Sequence, residues 1–222
     1  MTRPLLTLTR DRHWISPYVF ACFVALREKK LDFEVEEVAL HEGAQKQPAY
    51  ANASVTARVP ALRHRRGDEP EFVLAESSAI VEYLEDVFQP PDHHRVLPSD
   101  SRERARARQL MAWIRSDDTL ALRQARSTET MFYERSPEPL GEAAIASAKK
   151  LIEVAARVIP APHRTLFSTF SIADADLAFM LMRLVKNGDD VPAPVRAYAE
   201  NQWYRPSIRE FVDVERPTYI AY

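Results

Sequence analysis

The chain has 222 residues, 46% of them hydrophobic and 28% charged, with a formal net charge of −2. That is enough chain to bury one large core or two small ones, and no stretch is basic enough to make nucleic acid the main partner. A single cysteine excludes an internal disulfide or thiolate cluster, and four scattered glycines (Gly43, Gly67, Gly141 and Gly188) exclude a phosphate-cradling loop or dinucleotide fingerprint.

The N-terminus, "MTRPLLTLTRDRHW", has no apolar signal core, and the longest apolar run, Tyr18 to Leu26, is too short to span a bilayer. A cytoplasmic protein is expected. "PLLTLT" (4–9) predicts a short strand ended by "RDR". Residues 16–30 predict a helix with Ser16 as N-cap, Pro17 at its first position, apolar side chains on most of its face and cations in its last turn. Cys22, among Phe20, Phe23 and Val24, reads as an inert core thiol. "FEVEEVAL" (33–40) alternates as a half-buried strand does. A loop or short helix containing Gly43 and Pro48 follows. "VPALRH" and "EFVLAE" predict a hairpin turning at Gly67, and Ala79, Ile80, Tyr83, Leu84, Val87 and Phe88 repeat at helical spacing.

"QPPDHHRVLPSD" (89–100) reads as a linker, and its adjacent His93 and His94 as solvated loop residues, since no third ligand lies in phase. Everything beyond it reads as helix. Asp100 and Glu103 predict a capping box for a helix running through Leu110, Met111, Trp113, Ile114 and Leu120. The run "RERARAR" (102–108) reads as a solvated helix face or a subunit contact. Pro137 and Pro139 mark a break, and "EAAIASAKKLIEVAARVI" predicts a second helix. "SIADADLAFMLMRLVKNG" predicts a third, capped by Ser171 and Asp174 as a folding element and closed by Gly188. Two short helices are expected around 192–203 and 206–214. The expected domains are residues 1–88, a linker over 89–100, and an all-helical domain over 101–222.

Three local features carry chemistry. "SPYV" (16–19) keeps the frame of a redox dithiol that opens a helix, with serine and valine in place of both cysteines. Val59-Pro60 opens the third strand, leaving the backbone of Val59 available for pairing. Glu76-Ser77 opens the next helix, where a hydroxyl and a helix terminus suit a carboxylate and the adjacent acid suits an ammonium. Taken alone, each also reads as ordinary capping or strand-edge chemistry.

Their order inside β-α-β-α-β-β-α, followed by an all-helical half, resembles the glutathione transferases. "ARVPAL", "LAESSAIVEYLED", "FSIADADLA" and "YRPSIREFV" carry the resemblance across essentially the whole chain. The motifs "SPYV", "RVP", "ESSAIVEYLED" and "RARARQ" are similar to those of the YfcF-type bacterial serine glutathione transferases. The resemblance implies an α/β plus all-α fold: a thioredoxin-like domain followed by an α-helical bundle. It implies glutathione as co-substrate with no metal, and a homodimer without nucleic-acid or membrane partners. Ser16 would then stabilise the glutathione thiolate. Val59 and Pro60 would pair with the cysteinyl residue, Glu76 and Ser77 would hold the γ-glutamyl end, and Gln45 and Lys46 the glycyl carboxylate. Trp14, Met131 and Phe132 would line a pocket for an electrophile, peroxide or disulfide, or else serve in packing. The resemblance implies peroxide or disulfide reduction, or conjugation. The alternatives are a zeta-type maleylacetoacetate isomerase, which carries a Ser-Ser-Cys run where this chain has Ser16-Pro17-Tyr18, and a non-catalytic interaction module of the same fold.

Overall fold

The structure is a computed structural model that describes residues 5–160 and 164–221; Pro4, expected to open the first strand, lies outside the described residues. The chain divides into two units, one reaching to Val96 and including the stretch from Asp213 onward, the other Leu97–Val212.

The first unit holds a four-stranded sheet in the order β2-β1-β3-β4. β1 (Leu6–Asp11) pairs in parallel with β2 (Glu34–Val38) and antiparallel with β3 (Ala61–His64), which pairs antiparallel with β4 (Phe72–Ala75). β1 runs two residues past the expected stop at "RDR", because Arg10 and Asp11 remain in register with Glu37 and Val38 of β2. The alternation expected of β2 is absent. Glu34, Val35, Glu36 and Glu37 are all exposed and only Val38 is buried. β2 is an edge strand, and solvated glutamates there discourage pairing with another chain.

Helix α1 (Pro17–Glu28) is buried continuously from Val19 to Leu26, including Cys22, so it is apolar all round rather than on one stripe. It packs against β1 and against α3 (Ser77–Val87), and α2 (Pro48–Ser54) lies against β4. The unit extends past Phe88 because the buried Lys29 donates to the carbonyls of Phe88 (2.8 Å) and His94 (3.0 Å), while Glu85 accepts the Val96 N–H (2.9 Å).

The second unit contains α4 (Ser101–Ile114), α5 (Leu120–Ala125), α6 (Glu129–Phe132), α7 (Glu142–Val158), α8 (Ile172–Asn187), α9 (Ala193–Trp203) and α10 (Pro206–Val212). α4 stops at Ile114 instead of continuing to Leu120. The Ser116 and Thr119 hydroxyls bond the carbonyls of Trp113 and Ile114, both at 2.7 Å, in competition with the helical ladder. Asp100 caps α4 by accepting the Arg102 and Glu103 N–H groups, at 3.0 and 2.9 Å. The reciprocal half of the expected box is not formed, since the Glu103 carboxylate instead accepts the Ser168 hydroxyl.

α8 is the core element of this unit, buried from Ile172 to Leu184 and packed on α4, α6, α7 and α9. Its capping box of Ser171 and Asp174 is present. Asp174 does more than cap. Besides the N–H and hydroxyl of Ser171, it accepts the Leu166 N–H and the hydroxyl of buried Tyr198. Burial pushes its carboxyl above the ordinary range, and these four hydrogen bonds pull it back. Asp176, paired with Arg115 at 2.6 Å, is raised by the same cause.

A raised folded pKa means the native state holds its proton to higher pH than the unfolded chain, so this contribution to stability falls as pH rises just above the ordinary aspartate value. Asp174→Asn is expected to flatten that slope in urea denaturation followed across pH. It should also cost more than the ~1 kcal/mol of an ordinary cap, because one amide oxygen cannot serve four donors. Turnover per folded molecule should be unchanged.

Candidate functional site

Ser16 lies where β1 hands over to α1. It is the N-cap, with φ −65° and ψ 121°, and its Oγ accepts the Val19 N–H at 3.3 Å. No described residue accepts the hydroxyl's own proton, so Ser16 can donate outward from the positive end of a twelve-residue helix. The backbone holding it has its own support. Asp11, fully buried at the end of β1, accepts the Ile15 N–H on one carboxylate oxygen and the Ser16 N–H on the other, each at 3.1 Å.

The sheet register brings the other two features to the same end. Leu8 pairs with Leu62 and Ala61 pairs with Ala75. β3 begins directly after Val59-Pro60 and β4 ends directly before Glu76-Ser77, so the Ala61–Ala75 pair sets both features at one end of these two strands. Two side-chain contacts tie these segments: the Thr9 hydroxyl accepts the Ala61 N–H at 2.7 Å, and the Cys22 thiol lies 3.7 Å from the Ser77 carbonyl. The Val59-Pro60 bond is cis, and neither the N–H nor the C=O of Val59 has a hydrogen-bond partner among the described residues.

Glu76 occupies the N-cap position of α3 with φ 69° and ψ 115°, a conformation that costs a non-glycine residue free energy. Its side chain makes no cap, and its carboxylate is exposed with no described partner. Ser77 is the first helical residue and is buried. The terminus of α3 is therefore left without a side-chain cap, as a site for an anion requires.

The remaining expected residues are more dispersed. Gln45 and Lys46 fall in a single helical turn, Ala44–Lys46; the Gln45 Oε1 is buried without a partner, and Lys46 is exposed. Trp14 belongs to the first unit. It is left-handed at φ 53°, packs edge-on against Phe23 at 5.7 Å and carries the Arg10 guanidinium over its ring at 4.6 Å. Met131 and Phe132 belong to the second unit, where Phe132 stacks on Trp203 at 6.2 Å. Cys22 is fully buried.

Two supports were not legible in the sequence. One is Asp11. The other is the C-terminal stretch from Asp213, expected to belong with the helices. It belongs to the first unit, where Arg216 donates to the Trp14 carbonyl (3.1 Å) and His13 bonds the Ile220 backbone. Among the described residues no group of three or more His, Cys, Asp or Glu could hold a metal ion, and no helix is long and apolar enough to cross a membrane.

Residues 15–87 match the family pattern described as "Glutathione S-transferase, N-terminal domain", and residues 100–216 match "Glutathione S-transferase, C-terminal domain". Among solved structures, the chain is 40% identical to a glutathione transferase homologue from Burkholderia gl BGR1 crystallised with bound glutathione. That match has a TM-score of 0.74 and covers 94% of this chain and 96% of the other. Among curated relatives, the theta-3 glutathione S-transferase of Mus musculus is 32% identical over 93 residues, 42% of this chain. The maleylacetoacetate isomerase of Pseudomonas aeruginosa is 38% identical over 96 residues, also 42% of this chain. These matches span 36% and 42% of the curated relatives' own lengths. With both family domains matched in order on the fold described, the chain belongs to the glutathione S-transferase family.

Proposed function

We propose that the protein is a glutathione-dependent enzyme in which Ser16 stabilises the thiolate of bound glutathione. The observation that carries this reading is the Ser16 hydroxyl, which accepts from Val19 and keeps its own proton free at the start of α1. The unpartnered backbone of Val59 pairs with the cysteinyl residue in the manner of an added strand. Glu76 takes the γ-glutamyl ammonium, and the uncapped start of α3 takes its carboxylate. Gln45 and Lys46 serve the glycyl carboxylate, the buried Gln45 oxygen accepting from an N–H of the ligand. The bound glutathione of the Burkholderia homologue, 40% identical across nearly the whole chain, supports the ligand.

The thiolate then attacks a peroxide oxygen, a disulfide sulfur or an electrophilic carbon. In the peroxide case a second glutathione completes the disulfide, and the peroxide leaves as alcohol and water. We place the chain with the YfcF-type enzymes on its motifs, as a cytoplasmic homodimer. Maleylacetoacetate isomerisation is the second reading, favoured by the identity to the Pseudomonas enzyme. Parallel assays with hydroperoxide, a mixed disulfide, an aryl halide and maleylacetoacetate separate these activities.

The binding half of the proposal is tested by calorimetry with glutathione. Glu76→Gln should weaken binding by roughly 1.5–3 kcal/mol, the worth of a hydrogen bond to a charged group, and leave the pKa of the bound thiol nearly unchanged. Equal affinity in the variant would place the amino-acid end of glutathione elsewhere.

A further inference from the structure

We propose that the buried Asp11 carboxylate is a positioning residue that holds Ser16 in the conformation presenting its hydroxyl to the glutathione sulfur. This rests on the reading of Ser16 given above.

Asp11 ends β1, and its side chain is fully buried. Its two oxygens reach across the turn of Arg12, His13 and Trp14 to accept the N–H groups of Ile15 and Ser16, each at 3.1 Å. The same residue's carbonyl accepts the Trp14 N–H at 3.4 Å, so Asp11 holds the turn from both its backbone and its side chain. The turn it spans includes Trp14 at φ 53°, a left-handed conformation that costs a non-glycine residue free energy. Two adjacent N–H groups pointing at one side chain need two acceptors. Aspartate has them; asparagine offers one oxygen and turns an NH2 donor against the second N–H.

Of the cationic and titratable groups around this turn, Arg10, Arg216 and His13 bind elsewhere, and the Arg12 Nε is buried without a partner. Arg10 donates to the Asp11 and Arg12 carbonyls and pairs with Glu37, Arg216 donates to the Trp14 carbonyl, and His13 bonds Ile220. No described cation pairs with the Asp11 carboxylate.

A negative charge here has a cost that makes the proposal testable by sign. Asp11 lies next to the place where a thiolate would form, and a like charge disfavours a second anion. If its only effect on the sulfur were its charge, removing that charge would lower the pKa of the bound thiol. If it acts by orienting Ser16, removing it misdirects the donor and the pKa rises.

The experiment titrates bound glutathione by thiolate absorbance and measures turnover in Asp11→Asn, Ser16→Ala and the double variant. For Asp11→Asn the expected result is a higher thiol pKa and turnover reduced about tenfold or more, with KM for glutathione within about threefold. The double variant should be no worse than Ser16→Ala alone, because the two residues act through one hydroxyl. A lower thiol pKa in Asp11→Asn overturns the proposal in favour of a charge effect. An unchanged pKa with a lowered unfolding temperature overturns it in favour of a purely structural role. If Ser16→Ala itself leaves the pKa unchanged, the Ser16 reading fails first, and that outcome is distinct from a response to Ser16→Ala without one to Asp11→Asn. Amide hydrogen exchange in the unaltered protein is a check that needs no variant to fold. The Ile15 and Ser16 amides should exchange slowly, and rapid exchange at both would remove the contact on which the proposal stands.

Discussion

Ser16→Ala should raise the pKa of bound glutathione and lower turnover by between about tenfold and a hundredfold, the range for losing one hydrogen bond to a charged group. An isolated thiol with a pKa of ~8.5 is only a few per cent ionised at neutral pH, and bringing it to ~6.5 requires about 2.7 kcal/mol of preferential stabilisation of the thiolate. One charge-assisted hydrogen bond and the end of α1 together can supply that amount. Affinity should change much less, because the contacts proposed for Val59 and Glu76 are with other parts of the tripeptide. The same hydroxyl also caps α1 through Val19, so the alanine variant loses about 1 kcal/mol of stability for an unrelated reason. Ser16→Gly separates the two effects. Glycine is a tolerable N-cap, within a few tenths of a kcal/mol of serine, but has no proton to donate. Its turnover should match the alanine variant while its unfolding midpoint stays near that of the unaltered protein. Full activity in Ser16→Gly would assign the thiolate to a backbone N–H instead.

What could be read from the sequence depended on whether a signal was local. α1 and α8 were legible because their start signals, Ser16-Pro17 and Ser171 with Asp174, lie within one helical turn of the residues they cap. The Val59-Pro60 and Glu76-Ser77 pairs were legible as candidate ligand contacts, but the backbone of Glu76 was not. A left-handed residue is expected from glycine or asparagine, and Glu76, Trp14, Val55 and Ala57 adopt positive φ without being either. β2 was misjudged because alternation in the letters cannot distinguish a half-covered strand from an edge strand whose apolar residue, Val35, remains exposed. Asp11 was read as part of a strand terminator, since nothing in "RDR" shows that one carboxylate reaches forward to two amides. The return of the tail to the first unit was invisible for the same reason: His13 and Ile220 are 207 residues apart in sequence.

Lys29 is the clearest case of a residue that only the fold explains, and replacing it should have the largest effect on stability. It has the profile of a solvated cation at the end of a helix, yet its side chain is fully buried. Its Nζ lies 2.9 Å from Glu85 and donates to the carbonyls of Phe88 and His94. Glu85 in turn accepts Arg95 and the Val96 N–H, while His93 bonds the Lys29 carbonyl. Burial pushes the Lys29 ammonium below its ordinary pKa, and Glu85 pulls it back. Lys29→Met keeps the length of the side chain and removes the charge. Glu85 is then buried with only the half-exposed Arg95 to balance it, and two carbonyls lose their donor. Removing one partner of such a pair costs about 3–5 kcal/mol. At roughly 2–4 °C per kcal/mol for a chain of this size, the midpoint should fall by about 6–20 °C. Lys29→Met combined with Glu85→Met should recover part of the loss, because a buried ion pair exchanged for apolar side chains is often neutral. Limited proteolysis gives an independent reading: in the single variant the segment from Gln89 to Arg95 should become cleavable, while glutathione affinity of the folded protein stays unchanged. A loss of stability below about 1 kcal/mol, the size of a surface pair, would mean that the segment is held by its packing and not by this ion pair.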